Sequence, residues 1–303
     1  MTPLSTKILE SYQIRKTSKQ KLAFIDLMKE HFPALQVQEF GIIKTRNIIV
    51  GDVENAKIIL SAHYDTCSVL PFPNFITPKK PLLTVLYSFL IIIPIFLIVL
   101  FLNTMLNLLS NNYWLHYIGS LLIYFGMLAM IVIGPPNKHT ANDNTSGVIT
   151  LCELLQTLPA EDLEKVACIF FDHEETGLFG SFGFRRRNKE IAKTKLLINL
   201  DCVSDGDNFL MALTQSAKEA YSDALLEAFP SSDTKNVLFD DMDKIYYPSD
   251  HAGFDVAVAV AALKQKPVIG YYMDRIHTSK DTVFDESNIS FLCDGICRFL
   301  NKL

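Results

Sequence analysis

The chain has 303 residues, of which 20% are charged, and its formal net charge is −5. This length allows one large domain or two smaller ones, and the acidic balance argues against a nucleic-acid partner. The cysteines form no CxxC pair and are predicted to be buried free thiols, as in a reducing compartment: Cys67, Cys152, Cys168, Cys202, Cys293 and Cys297.

The N-terminal segment is predicted to belong to a soluble domain. Its first 21 residues contain no apolar core of the kind found in signal peptides, so we expect no secretory signal. The apolar pattern predicts an N-terminal helix that includes Ile8, Phe24 and Met28. Short strands are predicted next, at residues 46–50 and 57–63.

Two long apolar runs follow, at residues 82–102 and 115–133, and neither contains a charged side chain. Twenty-one residues at a rise of 1.5 Å span about 31 Å, the thickness of the hydrocarbon core of a bilayer. Helices of soluble proteins rarely stay uncharged on every face. Tyr113 and Trp114 stand next to the second run, where interfacial aromatic residues are common. We therefore predict a two-helix transmembrane hairpin.

The charges that flank these runs predict how the hairpin is oriented. Lys79 and Lys80 precede the first span and Lys138 follows the second, whereas the connection between the spans has no lysine or arginine. The positive-inside rule places both flanks in the cytoplasm. The hairpin, residues 71–137, is therefore predicted to be inserted into one cytoplasmic domain made of residues 1–70 and 138–303.

The rest of the chain alternates strands with helices. This alternation predicts an α/β protein, specifically a three-layer α/β/α sandwich around a largely parallel twisted sheet. The predicted elements are a helix at 148–158, a strand at 166–171, a helix at 180–193, a strand at 196–200, a helix at 216–229, a strand at 267–273 and a helix at 287–301.

Acidic and histidine side chains follow the predicted strands, at the edge of the sheet where ligands gather in α/β proteins. Five carboxylates in one cleft would repel one another, and divalent cations remove that repulsion. Imidazole and carboxylate groups are typical zinc ligands, so the sequence predicts a metal site at this edge. The candidate residues are His63, Asp65, Asp143, Glu174, Glu175, Asp201 and His277.

These residues stand in motifs whose order resembles that of the co-catalytic zinc aminopeptidases of peptidase family M28, which also includes glutamate carboxypeptidases. The family order is HxD, NDN-x-SG, EE-x-GL-x-GS, NLD, SDH-x-x-F and HT-x-x-DT. Here the order is HYD (63–65), NDNTSG (142–147), EETGLFGS (174–181), NLD (199–201), SDHAGF (249–254) and HTSKDT (277–282). Apart from the hairpin, the resemblance covers about residues 35–303.

The resemblance implies two zinc ions, although other divalent metals are also compatible with these ligand types. It implies that His63 and Asp201 hold one ion, that Glu175 and His277 hold the other, and that Asp143 bridges them. It also implies a cis peptide bond between Asp143 and the next residue.

The two remaining acids have different implied roles. The resemblance implies that Glu174 is the general base and that Asp65 is a catalytic-site residue that holds His63 in its metal-binding tautomer. It also implies that Asp250 and His251 lie beside the substrate pocket. The chain is accordingly predicted to be a zinc aminopeptidase that acts on peptides.

Two alternative functions remain open, and the first is a related enzyme: a carboxypeptidase, a dipeptidase or a cyclase-like protein. A carboxypeptidase or dipeptidase would need a cation for the terminal carboxylate of its substrate, and Arg275 is the candidate. Cyclase-like relatives use one zinc ion and lack the HxD ligand, which His63 supplies here. A non-catalytic membrane scaffold is the other alternative, and it is disfavoured because the implied ligands are all present.

The chain departs from the family at the hairpin, since the segment between the HxD motif and the bridging aspartate is short in typical members. The bridging aspartate follows the second span by ten residues, so it lies within about 35 Å of the bilayer. We therefore expect a lipid bilayer and hydrophobic or membrane-associated peptides as partners. Residue specificity and oligomeric state do not follow from the sequence.

Overall fold

The computed structural model describes residues 1–70, 72–109, 112–132 and 134–303. Its strands are β1 (Gln36–Phe40), β2 (Thr45–Val50), β3 (Ile58–His63), β4 (Val166–Phe171), β5 (Leu196–Leu200), β6 (Asn208–Leu213), β7 (Asn236–Asp241), β8 (Ala257–Lys266) and β9 (Gly270–Tyr272). Its helices are α1 (Pro3–Ser11), α2 (Ser18–His31), α3 (Pro81–Leu109), α4 (Tyr113–Val132), α5 (Gly147–Thr157), α6 (Ala160–Leu163), α7 (Phe179–Arg187), α8 (Lys189–Thr194), α9 (Gln215–Ala228) and α10 (Glu286–Leu300).

The strands form a single sheet in the order β1-β2-β4-β3-β5-β8-β6-β7, with β9 paired to β8. The central strands β4, β3, β5 and β8 run parallel. At the sides, β2 pairs antiparallel with β1 and β4, and β6 and β9 each pair antiparallel with β8, whereas β6 and β7 are parallel. The prediction of a largely parallel sheet is therefore corrected: the sheet is mixed, and its parallel part is the centre. The parallel centre places the carboxyl ends of β3, β4 and β5 side by side.

Helices cover both faces of this sheet, as the sequence predicts. On one face, α1, α2, α5, α9 and α10 pack over alternate residues of the central strands, such as Ile58 and Leu60 of β3. On the other face, Ile59 packs with Phe184 of α7 and Ala192 of α8. Successive residues of a strand point to opposite faces, so a strand buried on both sides is apolar throughout. The two cores hold the strand ends, and with them the site, in fixed positions.

Most predicted elements are confirmed, and three are not. The strands at 166–171 and 196–200 are found with the predicted bounds, and α5, α9 and α10 agree within one residue. The helix predicted at 180–193 is two helices, α7 and α8, which meet at Asn188. The strand predicted at 267–273 is shorter than expected: only β9, Gly270–Tyr272, is found there, and it turns back to pair antiparallel with the long strand β8. The single N-terminal helix is likewise two, α1 and α2.

The inserted segment contains α3 and α4, where the two apolar runs stand. α3 passes through Pro94 and is longer than the predicted span, and the last residue of the second predicted span, 133, lies outside the described residues. Within the described part, α3 is the one helix that is long and apolar enough to cross a membrane by length and composition, with a mean hydropathy of 3.0 and 6% of its apolar window buried. The helices contact each other, because Ser120 of α4 donates a hydrogen bond to Asn103 of α3.

Both ends of the insertion are tied to the sheet domain. The amide of Val69, before α3, donates to the carbonyl of Pro135, after α4, at 3.0 Å. Ile76 exchanges two backbone hydrogen bonds of 2.9 Å with Met273, and Thr77 bonds Thr84 in the first turn of α3. The insertion therefore leaves and rejoins the domain at one place, next to the segment that follows β9.

Candidate metal centre

The candidate ligands meet at the carboxyl ends of the parallel strands. His63 is the last residue of β3, Asp201 directly follows β5, and Glu174 and Glu175 follow β4. Asp143 comes from an irregular turn, Ala141–Ser146, that leads into α5. His277 lies in the loop after β9 and not after a parallel strand. The structure therefore brings together residues that are up to 214 positions apart, from 63 to 277.

The carboxylate of Asp143 lies between the two histidine rings. Its Oδ1 atom is 3.3 Å from Nε2 of His63, and its Oδ2 atom is 2.9 Å from Nε2 of His277. His63 Nε2 is also 3.5 Å from Oδ1 of Asp201, and His277 Nε2 is 3.2 Å from Oε2 of Glu175. The site thus has two halves that share one carboxylate: His63 with Asp201, and His277 with Glu175.

Asp65 connects a histidine ligand with the predicted general base. The Nδ1 atom of His63 is 3.1 Å from the carbonyl oxygen of Asp65 and 3.6 Å from its carboxylate, and the same carboxylate accepts a 3.0 Å hydrogen bond from the amide of Glu174. A proton on Nδ1 leaves Nε2 free to bind a metal. This contact favours the tautomer of His63 that metal binding requires.

The turn that carries Asp143 is held from several sides. The carboxylate of Asp281 accepts hydrogen bonds from the amides of Asn142 and Asp143, at 2.9 and 3.0 Å. The peptide bond between Asp143 and Asn144 is cis, as the resemblance implies. The side chain of Asn144 donates to the carbonyl of Leu200, and a Cβ at Gly147 would lie 2.4 Å from that same oxygen. The Asn and Gly of the NDNTSG motif therefore fit α5 closely against the end of β5.

The chain changes direction in tight turns at the strand ends. Four non-glycine residues around the site adopt left-handed backbone conformations, with φ between 55° and 60°: His173, Leu178, Cys202 and His277. Such conformations are uncommon for these residue types and persist only where the surroundings enforce them, which is frequent at functional sites.

The charges of the site favour a cation at its centre. Burial alone would lower the pKa of His63, but the nearby carboxylates of Glu174, Asp143 and Asp201 raise it well above its ordinary value. Burial alone would raise the pKa of Asp143, but His277 and His63 hold it below its ordinary value. The acids thus attract positive charge to the two Nε2 atoms, whether as a proton or as a metal ion.

The donor set fits zinc. His63, Asp143 and Asp201 each offer one ligand atom, and these atoms all lie within 4.8 Å of one another. In the other half, Oε1 of Glu175 is buried without a hydrogen-bond partner among the described residues. Nitrogen and carboxylate oxygen donors at such spacing are typical of zinc, and a buried unpaired carboxylate oxygen is costly unless a cation binds it.

A cavity of about 340 Å³ opens directly onto these ligands. Besides the acids and the histidines, apolar side chains form its walls: Ile76, Leu178, Tyr247, Pro248 and Ile276. The hydroxyl of Tyr247 donates to the carbonyl of Asp201 at 3.0 Å, which fixes this wall to the ligand. The cavity combines a charged floor with apolar walls, as small-molecule and peptide sites commonly do.

Three residues predicted beside the pocket are not among its described lining. Asp250 and His251 are buried, and burial raises the pKa of Asp250 to about 7 and lowers that of His251 to about 4. Arg275 lies 3.4 Å from the carboxylate of Asp205 and lines a neighbouring cavity of about 750 Å³ with Tyr87 of α3. Their expected role in binding substrate therefore remains a prediction, because none of the three lines the cavity in the described structure.

Sequence reasoning missed residues that support the site. Arg15 is fully buried; its amide donates to Thr66 at 3.0 Å, and its guanidinium donates to Thr145 at 3.1 Å. Cys67, assigned to the core, has its thiol beside Glu175 and His277. The spacing of Cys67, four residues after His63, was the one available signal.

Comparisons with known proteins identify a family and a fold for this chain. The sequence model described as peptidase family M28 matches residues 126–291, more than half of the chain. A search of curated proteins finds no match. Similar solved structures include the LapA aminopeptidase of Legionella pneumophila, at 14% identity and a TM-score of 0.56, covering 99% of this chain and 69% of that one.

Two further structures cover nearly the whole of both chains. A Zn-dependent exopeptidase from Parabacteroides distasonis is 16% identical with a TM-score of 0.57, and the match covers 98% of this chain and 94% of that one. A glutaminyl cyclase from Porphyromonas gingivalis is 15% identical with a TM-score of 0.57, covering 99% and 95%. At these identities the likeness shows a shared fold.

Proposed function

The chain belongs to peptidase family M28, and on that premise we propose that it is a membrane-anchored zinc aminopeptidase that trims peptides near the membrane. The observation that carries the proposal is the carboxylate of Asp143, which has one oxygen beside His63 and the other beside His277. One carboxylate between two histidine rings suits a pair of divalent ions. We propose two zinc ions, and the same donors also accept other divalent metals.

Each half of the site supplies the ligands of one proposed metal position. His63 and Asp201 would hold one ion, Glu175 and His277 the other, and Asp143 would contact both. Bound zinc supplies polarisation of the scissile carbonyl, a lower pKa for the attacking water, and positive charge that offsets the clustered carboxylates. Asp65 keeps His63 in the correct tautomer throughout.

Glu174 is positioned to move the proton. Its carboxylate lies within reach of His63 and Glu175, and burial raises its pKa well above the ordinary value. A carboxylate with a raised pKa is a stronger base and, once protonated, a usable acid near neutral pH. Glu174 would therefore accept the proton of the attacking water and pass it to the nitrogen of the leaving amine.

The walls of the cavity suggest which substrates fit. Ile76, Leu178 and Ile276 offer an apolar surface to the side chain that precedes the scissile bond. A volume of about 340 Å³ is at the small end for a binding site. We therefore propose that the enzyme prefers apolar N-terminal residues.

The insertion supports a location at the membrane. α3 exposes large apolar side chains along its length, among them Phe89, Leu90 and Phe96. Ile76, which lines the cavity, lies only five residues before α3 begins at Pro81. We propose an integral membrane protein with two spans and a cytoplasmic catalytic domain, as the flanking lysines favour. Peptides that travel along the bilayer surface would then reach the site directly.

The alternatives fit the contacts less well. A carboxypeptidase would need a cation near the cavity, but Arg275 lies beside Asp205 and outside the described lining. The glutaminyl cyclase shares the fold of this chain, so the fold does not distinguish a cyclase from a peptidase and only a test of the reaction does. In both halves of the site the histidines and carboxylates are already in place, which disfavours a non-catalytic scaffold.

The first experiment identifies the reaction. We would purify the full chain in detergent, measure its zinc content, and supply free, N-blocked and N-terminal glutaminyl peptides of one sequence. An aminopeptidase releases the first residue of the free peptide alone. Cleavage of the N-blocked peptide from its other end would indicate a carboxypeptidase, and loss of ammonia from the glutaminyl peptide would indicate a cyclase.

The second experiment tests substrate access. In liposomes, peptides with apolar tails should be cleaved faster than soluble peptides with the same N-terminal residue, after rates are normalised to surface concentration. This normalisation is needed because apolar burial, at about 25 cal/mol per Å², concentrates such peptides at the bilayer. Equal normalised rates, or unchanged selectivity after a short polar loop replaces residues 82–133, would reduce the hairpin to a tether.

A further inference from the structure

Cys67 differs from the other cysteines in its surroundings. Cys152 and Cys168 belong to the apolar core on one face of the sheet, Cys202 belongs to an apolar cluster on the other, and Cys293 and Cys297 pack against the first core. Among the described residues, Cys67 belongs to none of these clusters although it is only 5% exposed. A role in hydrophobic packing therefore accounts for the other cysteines and not for Cys67.

The neighbours of the Cys67 thiol are metal-ligand groups. Its Sγ atom, one oxygen of Glu175 and one nitrogen of His277 all lie within 4.8 Å of one another. Glu175 is 7% exposed at its side chain, and its Oε1 atom has no hydrogen-bond partner among the described residues. A buried carboxylate oxygen without a partner is costly unless a cation binds it, and this carboxylate belongs to the same cluster as the sulfur.

The thiol is held in position by the chain that leaves the insertion. The amide of Asn137 donates to the carbonyl of Cys67 at 3.1 Å, and the side chain of Asn137 donates to the carbonyl of Thr278 at 3.0 Å. The amide of Leu70 also donates to the carbonyl of His277, at 2.8 Å. These bonds fix the segment of Cys67 to the loop of His277, so that the sulfur and the imidazole keep their separation.

We propose that the thiolate of Cys67 is a ligand of the metal ion held by Glu175 and His277, in addition to the bridging Asp143. This inference rests on the proposed function, since it adds a donor to one of the two proposed positions. On binding, the thiol loses its proton to solvent and the sulfur gives an electron pair to the metal. A sulfur donor makes this position select zinc or cobalt over manganese and magnesium, while the position at His63 and Asp201 keeps only nitrogen and oxygen donors.

The test uses the full chain in detergent, stripped of metal with a chelator and reloaded with Co²⁺ alone. Thiolate bound to Co²⁺ gives an intense charge-transfer absorption in the near ultraviolet, which nitrogen and oxygen donors do not give. We expect this band in the wild type, its loss in Cys67→Ser, and its retention in Cys202→Ser. Cys202 is the matched control, because it is a buried thiol 3.2 Å from a carboxylate oxygen of Asp201. Of the two Zn²⁺ ions, we also expect the more weakly held one to bind at least tenfold less tightly in Cys67→Ser than in the wild type.

A second measurement needs no variant. X-ray absorption of the zinc-loaded wild type should show a sulfur neighbour at about 2.3 Å. Cobalt binding without a thiolate band, a band that disappears in Cys202→Ser instead, or zinc without a sulfur neighbour would overturn the inference and leave the proposed function standing. If the wild type bound neither cobalt nor zinc, the proposed function itself would fail and the inference with it.

Discussion

The two halves of the candidate metal centre are built in different ways. His63 and Asp201 stand at the ends of the neighbouring strands β3 and β5, and His63 is 1% exposed at its side chain. Glu175 and His277 stand on loops, and His277 is 30% exposed at its side chain. One half is therefore part of the sheet, whereas the other depends on loop contacts.

The loop half is also the half that contacts the insertion. Leu70 bonds the backbone of His277, and Asn137 bonds the residue that follows it. No comparable tie to the insertion reaches His63 or Asp201 in the described part of the chain. Because loops open at a lower free energy than core strands, we expect the loop half to lose its metal first and to respond to changes in the insertion.

The largest effect is expected at the residue that the two halves share. Asp143→Asn removes the charge that both histidines face, so both metal positions should weaken and turnover should fall below detection. Metal content by mass spectrometry, measured beside turnover, checks this. Retention of two ions per chain in a folded variant would show that the halves are independent of Asp143.

The next effect separates chemistry from metal binding. Glu174→Gln keeps the size of the side chain and removes the base, so turnover should fall by roughly 10²–10⁴ while both metal positions remain filled. Steady-state kinetics and metal content are the measurements. Turnover near the wild-type level would mean that another group takes the proton.

A smaller effect should distinguish the two halves. Asn137→Ala removes one of the two ties between the segment of Cys67 and the loop of His277, so one metal ion should bind about tenfold more weakly and the other should be unchanged. Competition with a coloured chelator resolves the two affinities. Asn208→Ala is the control, because Asn208 bonds the carbonyl of Leu263 in the sheet and should leave both affinities unchanged. Equal weakening of both ions would contradict the division.

The smallest effect concerns the stability of the folded chain and its dependence on the buried residue Asp250. Burial raises the pKa of Asp250 from 3.8 to about 7, so the folded protein favours its neutral form. As the pH rises from 4 to 7, this carboxyl ionises in the unfolded chain before it does in the folded one, and the wild type loses stability relative to Asp250→Asn. With a chelator present, the difference between the melting temperatures of the variant and the wild type should change by roughly 5 °C in favour of the variant from pH 4 to pH 7. Parallel melting curves across the range would contradict the raised pKa.

The central sheet and the ligand residues follow from the sequence to different extents. The strands at 166–171 and 196–200 are predicted to the residue, because short, mostly apolar runs stand there, VACIFF and LLINL. The strands β1, β6, β7 and β8 are missed. β8 begins AVAVAAL and β6 is NFLMAL, rich in alanine, leucine and methionine that favour helices, and β7 ends in two aspartates. Only pairing with neighbours makes these segments strands.

The ligands themselves are predictable because they follow strands and stand in recognisable motifs. Their supports are not, because they depend on contacts between distant segments. Arg15 reaches Thr145, 130 residues away, and Asn137 reaches Thr278, 141 residues away. No local pattern marks such pairs, and Cys67 resembles a core cysteine until the loop of His277 is placed beside it.

The hydrogen bond between Val69 and Pro135 has a consequence for how the chain is threaded through a bilayer. Two backbone groups 3.0 Å apart lie on the same side of any membrane. A chain that departs from one side and returns to it must cross an even number of times. If α3 crosses, a single passage is therefore forbidden, and α4, the next helix, is the segment able to bring the chain back. Parity alone thus demands a return passage, whatever the hydropathy of the second helix.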